Sequence, residues 1–210
     1  MSISPEDYEQ HMSHPSVNQH RFLGDCFHRA LVKHAPTEIL VIGCGTGNGL
    51  EHIDSAVTHR TTVIDFNARF LNVVKQRFQN TVCGLEVIHG DLHRCLLPQG
   101  CYSMVYAGLV FEFIQPDVVL KKISQSLQPG GILEVVLQIP SETLPTVSAT
   151  GIESMKQLKS IAKLVNIEEF CELCSHLKLT LIGSCEQTLD SGKSFFIGTF
   201  QNAATAGADL

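Results

Sequence analysis

The chain has 210 residues, 44% of them hydrophobic, which suits one soluble domain with a substantial core. Its 15 Lys and Arg against 21 Asp and Glu leave a formal net charge of −6, a poor match for a phosphate backbone, so nucleic acid is not the expected partner. No apolar run approaches the ~20 residues of a membrane span, and the start, Met1 to Asp7, has neither the basic end nor the apolar centre of a signal peptide. Eight cysteines lack framework spacing and read as reduced thiols of a cytoplasmic protein.

Residues 1–20 are polar and rich in His, Gln and Ser, an arm or a lid ahead of a core expected over 21–200. Residues 21–34 place apolar groups at helical spacing, and Pro36 stops that helix. Strands are expected near 38–42, 61–65, 85–89, 103–107 and 131–138, with helical stretches near 48–55, 67–79 and 116–127. Alternation of this kind implies right-handed βαβ units and a parallel sheet. A loop over 139–151 precedes helices at about 152–164 and 167–177. Two strands around an Asp-Ser-Gly-Lys turn, 179–189 and 194–200, form an antiparallel hairpin, and 201–210 reads as a frayed tail. Cys171 and Cys174 make a C-x-x-C in a helical run with no second pair, so packing is expected there and no metal site.

The most informative run links the first strand to a glycine-rich turn. Ile39 to Ile42 is a short apolar stretch expected of a strand buried on both faces, and Gly43, Gly45 and Gly47 come next at alternate positions. A helix start near Asn48 would complete a nucleotide-binding turn. The dinucleotide fingerprint G-x-G-x-x-G fails, because Asn48 and Leu50 stand where the third glycine would be, and no Gly-Lys-Ser/Thr triplet occurs. Asp65 ends the second strand about 20 residues on, where a ribose-binding acid belongs. Gly90, Asp91 and Leu92 end the third, and Leu127-Gln-Pro-Gly-Gly131 opens the fifth.

These four features, in this order, resemble class I S-adenosylmethionine-dependent methyltransferases, closely over 30–140 and in outline beyond. The resemblance implies a Rossmann-like, doubly wound, mostly parallel seven-stranded α/β sheet closed by a C-terminal antiparallel hairpin, as one domain over 1–210. It implies S-adenosylmethionine as cofactor, with Gly43, Cys44, Gly45 and Gly47 forming the turn beneath it. Asp65 would take the ribose hydroxyls beside Phe66, Asp91 the adenine amino group, and the Leu92 N–H would face the ring, with Ala107 at the end of the fourth strand. Two positions depart from the family pattern: Val41 and Ser103 stand where acids are usual. No Asn-Pro-Pro-Tyr-like motif of base-modifying members follows the fourth strand.

Methyl transfer asks the protein mainly for positioning, so no residue has to be catalytic. Glu112, Tyr8 and His11 are the candidates. Glu112 reads first as a carboxylate complementing a helix start and second as a base. Tyr8, His11, His14 and His20 belong to either a lid or a solvated arm. His89 and His93 read as structural or rim groups, and Gln138, Ser141 and Glu142 as substrate contacts or plain loop. The function expected is methyl transfer to a small molecule. The alternative is a protein that binds the cofactor or its demethylated product without turnover. Aminopropyl transfer lacks clustered acids after the fourth strand, and a nicotinamide enzyme lacks the glycine spacing. The sequence carries no signal for an oligomeric state.

Overall fold

The computed structural model describes residues 3–203. The run Ile39 to Ile42 explains the layering. In strand β1 (Glu38–Ile42), Ile39 and Val41 pack under one face of a sheet while Leu40 and Ile42 pack under the other. Side chains alternate along a strand, so a continuous apolar run is what a strand covered on both faces requires.

The sheet continues with β2 (Arg60–Asp65), β3 (Leu85–His89), β4 (Tyr102–Gly108), β5 (Leu127–Gln138), β6 (Leu179–Thr188) and β7 (Ser194–Asn202). The order is β3-β2-β1-β4-β5-β7-β6, with β7 antiparallel to both neighbours and all other pairs parallel. Helices α2 (Gln19–His34) and α3 (Ala68–Phe78) cover one face; α4 (Pro116–Ser126) and α6 (Ile167–His176) cover the other. Phe27 of α2 packs on Tyr106, and Phe170 of α6 packs on Phe111 and Phe200. The seven-stranded, doubly wound sheet with its terminal hairpin is the expected fold.

Three expectations fail locally. The helix over 48–55 is a single turn, Leu50–His52, and Gly49 just before it takes φ 89°, out of helical geometry. The helix over 152–164 shrinks to two short turns, Glu153–Met155 and α5 (Lys156–Lys159). Gln201 and Asn202 belong to β7, with Asn202 registered on Leu179, so they are not frayed. Residues 204–210 lie outside the described residues. The N-terminal stretch, conversely, contains a formed helix, α1 (Pro5–Ser13), whose start is capped by Ser4 Oγ accepting from the Asp7 N–H. Among the described residues no helix is long and apolar enough to cross a membrane.

Candidate functional site

The chain runs outward from β1 through β2 to β3, then returns to place β4 on the other side of β1. Crevices form beyond the carboxyl ends of strands where the order reverses in this way. Ile42 is registered on Ala107, and just past both a cavity of about 470 Å³ opens.

Its floor is main chain. Gly43 turns the chain off β1, and a Cβ there would lie 2.5 Å from Val110 Cγ2, so only glycine lets the two loops meet. The N–H groups of Gly43 and Cys44 donate to the Ile64 carbonyl at 2.9 and 3.3 Å, and that of Gly47 to the Cys44 carbonyl at 3.0 Å. Gly45 N–H donates to Asp65 Oδ2 at 2.9 Å. These amides are consumed inside the protein, and with the helix after them missing, the turn offers a ligand bare backbone, not a helix N-terminus.

Asp65 sits at the centre of the floor, largely buried and bordering the cavity. Its Oδ1 accepts from the Asn67 N–H at 2.8 Å, so each oxygen holds one backbone donor and keeps lone-pair capacity for a ligand. Burial raises its pKa, and those backbone donors oppose the rise. Phe66 is exposed at the cavity edge with its carbonyl held by His89 Nε2 at 2.9 Å. Asp91 lies at the rim, where its Oδ1 takes both the N–H and the ring Nδ1 of His93, each at 2.9 Å. His93 Nε2 accepts in turn from Gln115 N–H at 3.0 Å, so both histidines are staples of the loop structure. The His93 contacts hold the Asp91 carboxyl below its ordinary range. Leu92 is buried beside it. Lys122 clamps this loop from α4, its ammonium donating to the carbonyls of Leu92, His93 and Cys95 at 2.9, 2.7 and 2.9 Å.

Three expected contacts stand behind the wall. Ala107 is fully buried within the sheet, and the next residues, Gly108 and Leu109, reach the cavity instead. Leu109 takes a left-handed φ of 54°, an uncommon strain for a residue with a branched side chain. Cys44 packs in the core, and Gly47 lies against Phe78 and Leu50. Val41 also points into the core, while Ser103 Oγ pairs with the Glu38 carbonyl at 2.9 Å at the far end of β4, so neither departure from the family pattern leaves a gap in the cavity.

The roof is side chain. Tyr8 of α1 stacks on Phe70 with ring centroids 4.8 Å apart, and its hydroxyl rests over Gly45, 2.9 Å from where a Cβ would be. Burial raises the Tyr8 pKa, with the Asp65 carboxylate adding to the rise. His11 is buried, its Nδ1 2.8 Å from Thr150 Oγ1, and burial together with nearby Lys193 lowers its pKa to about 4. Asn67 Nδ2 donates to the Ile3 carbonyl and Ser154 Oγ to Asp7, so α1 is docked and is not a solvated arm. His14 and His20 do not border the cavity.

At Glu112 the favoured reading is overturned. The segment 109–115 is irregular and α4 starts only at Pro116, so there is no helix start for it to complement. The carboxyl is buried; Oε1 accepts from Gln138 N–H at 2.9 Å and Oε2 has no hydrogen-bond partner. Burial pushes its pKa up to about 7, the Gln138 donor and Lys193 resisting. Gln138 and Lys193 border the same cavity, whereas Ser141 and Glu142 are exposed outside it. Lys193 carries no local signal: a lysine in a hairpin turn reads as solvated, and only packing of that turn on residues 144–147 buries it.

Known proteins agree with the architecture. A family model described as a methyltransferase domain matches residues 39–131. An uncharacterized methyltransferase, YodH of Bacillus subtilis, is 29% identical over 114 residues, 52% of this chain and 48% of that protein. A malonyl-[acyl-carrier protein] O-methyltransferase of Haemophilus ducreyi is 28% identical over 97 residues, 45% of this chain and 38% of that one. The chain thus aligns with half or less of the length of these curated relatives. The N-methyltransferase NodS of Bradyrhizobium japonicum, solved with S-adenosyl-L-homocysteine, superposes with a TM-score of 0.68 at 15% identity, covering 89% of this chain and 88% of NodS. The [4+2]-cyclase SpnF superposes at 0.70 and 14% identity, covering 89% and 82%, so the scaffold also carries other chemistry. Residues 39–131 thus match a methyltransferase domain, and the seven-stranded sheet has the fold of these solved structures.

Proposed function

We propose that the protein transfers a methyl group from S-adenosylmethionine to a small molecule enclosed in the cavity. The observation that carries this reading is that one cavity is lined both by the glycine turn and Asp65 and by Glu112 and Lys193. A small acceptor, and not nucleic acid, suits a net charge of −6 and a partly enclosed, mostly apolar chamber. Eight free cysteines suit a reducing compartment such as the cytoplasm.

The residues fit the nucleotide end. Gly43 and Gly45 present no side chain, and Asp65 is a buried carboxylate with spare lone pairs toward the cavity, suited to ribose hydroxyls. Phe66 and Leu92 supply apolar surface for a purine, and Asp91 an acceptor at the rim for its amino group. Cys44, Gly47 and Ala107 support this floor from behind. The cofactor, when bound, supplies a methyl group already activated on a positively charged sulfur. The chain's own work is orientation and exclusion of water: α1, carrying Tyr8 and His11, closes the roof, and Leu109 and Gln138 shape the wall. Glu112 is the buried carboxylate able to take a proton from an acceptor.

A second reading, nucleotide binding without transfer, is favoured by Val41 and Ser103, which stand where the family usually carries acids. Calorimetry with S-adenosylmethionine and S-adenosylhomocysteine, followed by a product-release assay over hydroxyl, amine, thiol and carboxyl acceptors, separates the two. Binding with turnover supports methyl transfer; binding without it favours the second reading; absence of binding removes both.

A further inference from the structure

Beside Gln138 the cavity lining holds a carboxyl and an amine that do not meet. Lys193 is only 4% exposed although it sits in the β6–β7 turn. Its Nζ donates to the Thr146 carbonyl at 2.7 Å and to Gln138 Oε1 at 3.3 Å. An ammonium has three N–H donors, so one is left. Glu112 is 5% exposed and uses Oε1 on the Gln138 N–H, leaving Oε2 unpartnered. Gln138 therefore stands between the two, bonded to both. Its amide orientation is set by the same network: Nε2 donates to the Thr146 carbonyl at 3.2 Å, and the flipped amide would turn N–H groups against the ammonium.

The surroundings decide what such a pair accepts. Val147, next to Thr146, and Ala162 and Leu164, on either side of Lys163 whose N–H donates to the Glu112 carbonyl at 2.8 Å, make this part of the chamber apolar. The third titratable group facing it, His11, is kept neutral near pH 7 by burial and by Lys193. With Glu112 ionised, the carboxylate and the ammonium offset one another, so any further ion brought in has no counter-charge. A ligand carboxylate would satisfy Lys193 and repel Glu112; a ligand ammonium would do the reverse. An alkyl end leaves both groups unmet. A hydroxyl donates its hydrogen to one and accepts from the other.

We propose that Glu112 and Lys193 together recognise a neutral hydroxyl group, of an alcohol or a phenol, on an apolar body, with Glu112 Oε2 accepting from the O–H and Lys193 Nζ donating to the oxygen. This names the acceptor class for the methyltransferase reading and rests on that reading only in calling the ligand an acceptor.

The test is calorimetric titration of the full chain near neutral pH with four probes sharing one body: para-propylphenol, para-propylbenzoate, para-propylbenzylammonium and para-propyltoluene. It is run with and without S-adenosylhomocysteine. The phenol is expected to bind at least about tenfold tighter than each of the others. Lys193→Met and Glu112→Gln should each shrink that advantage to about threefold or less while leaving the toluene affinity nearly unchanged, a pattern that a collapsed cavity does not produce. Preference for the benzoate or the ammonium overturns the proposal, as do equal affinities or no binding of any probe. If a variant fails to fold, the ranking in the parent protein decides alone. Loss of S-adenosylhomocysteine binding with the phenol ranking intact would count against the methyltransferase reading and not against this one; the reverse outcome removes only the hydroxyl assignment.

Discussion

The half of the cavity built on the ends of β1 and β2 is held by main chain, whereas the half roofed by α1, residues 139–165 and the β6–β7 turn is held by side chains. In the first, Gly43, Cys44 and Gly45 donate their N–H groups to β2, so the floor inherits the rigidity of the sheet. In the second, the side-chain contacts His11–Thr150, Asp7–Ser154 and Lys193–Thr146 tie α1 and the β6–β7 turn to residues 146–154. Main-chain bracing fixes a surface to receive a constant ligand; side-chain bracing lets a surface open and be refitted. That division suits the proposed methyl transfer, with the nucleotide on the floor and the acceptor under the roof.

Removing residues 1–13 breaks the comparison most severely. The roof goes while the sheet keeps its layers, so turnover should vanish with far-ultraviolet circular dichroism nearly preserved; an active truncated protein would reject the role of α1. Asp65→Ala attacks the floor. It removes a buried carboxylate and strands the Gly45 and Asn67 N–H groups, and S-adenosylhomocysteine binding should weaken by roughly 1–3 kcal/mol. Unchanged affinity in calorimetry excludes Asp65 from the ribose.

Lys122→Met sharpens the contrast, since it frees the Leu92, His93 and Cys95 carbonyls without touching the roof. Thermal unfolding should report a loss on the order of 1–3 kcal/mol, and nucleotide affinity should fall while probe binding at Glu112 holds.

The roof's own titrations give a pH signature. Glu112 is raised to about 7 from 4.5, so ionising it costs the folded state progressively as pH climbs through that window. Glu112→Gln removes this cost, and its stability relative to the parent should improve between those two pH values; a constant difference would contradict the burial assigned to Glu112. His11, lowered to about 4 from 6.5, acts oppositely: stability drains as pH falls across that range because the unfolded chain takes the proton first. The smallest effect lies outside both halves. Ala35 ends α2 at φ 42°, and Ala35→Gly should stabilise by up to about 1 kcal/mol in denaturant melts.

Residue order alone was enough to specify the sheet and its two-sided burial, and to single out Gly43, Gly45, Asp65 and Asp91, which border one cavity. Those properties are local: an apolar run with period two, glycines at alternate positions, acids at strand ends. The errors of a purely local reading are local as well. Propensity suggests helices over 48–55 and 152–164, but left-handed Gly49 interrupts the first, and the second stretch serves as an irregular wall over α1. Glu112, Gln138 and Lys193 lie up to 81 positions apart by their numbering, and only tertiary packing brings them around one cavity and strips their water. Desolvation depends on what covers a group, and no spacing rule encodes it. A turn lysine became a buried cation for that reason, and an expected helix-start carboxylate became an acid with an unclaimed oxygen.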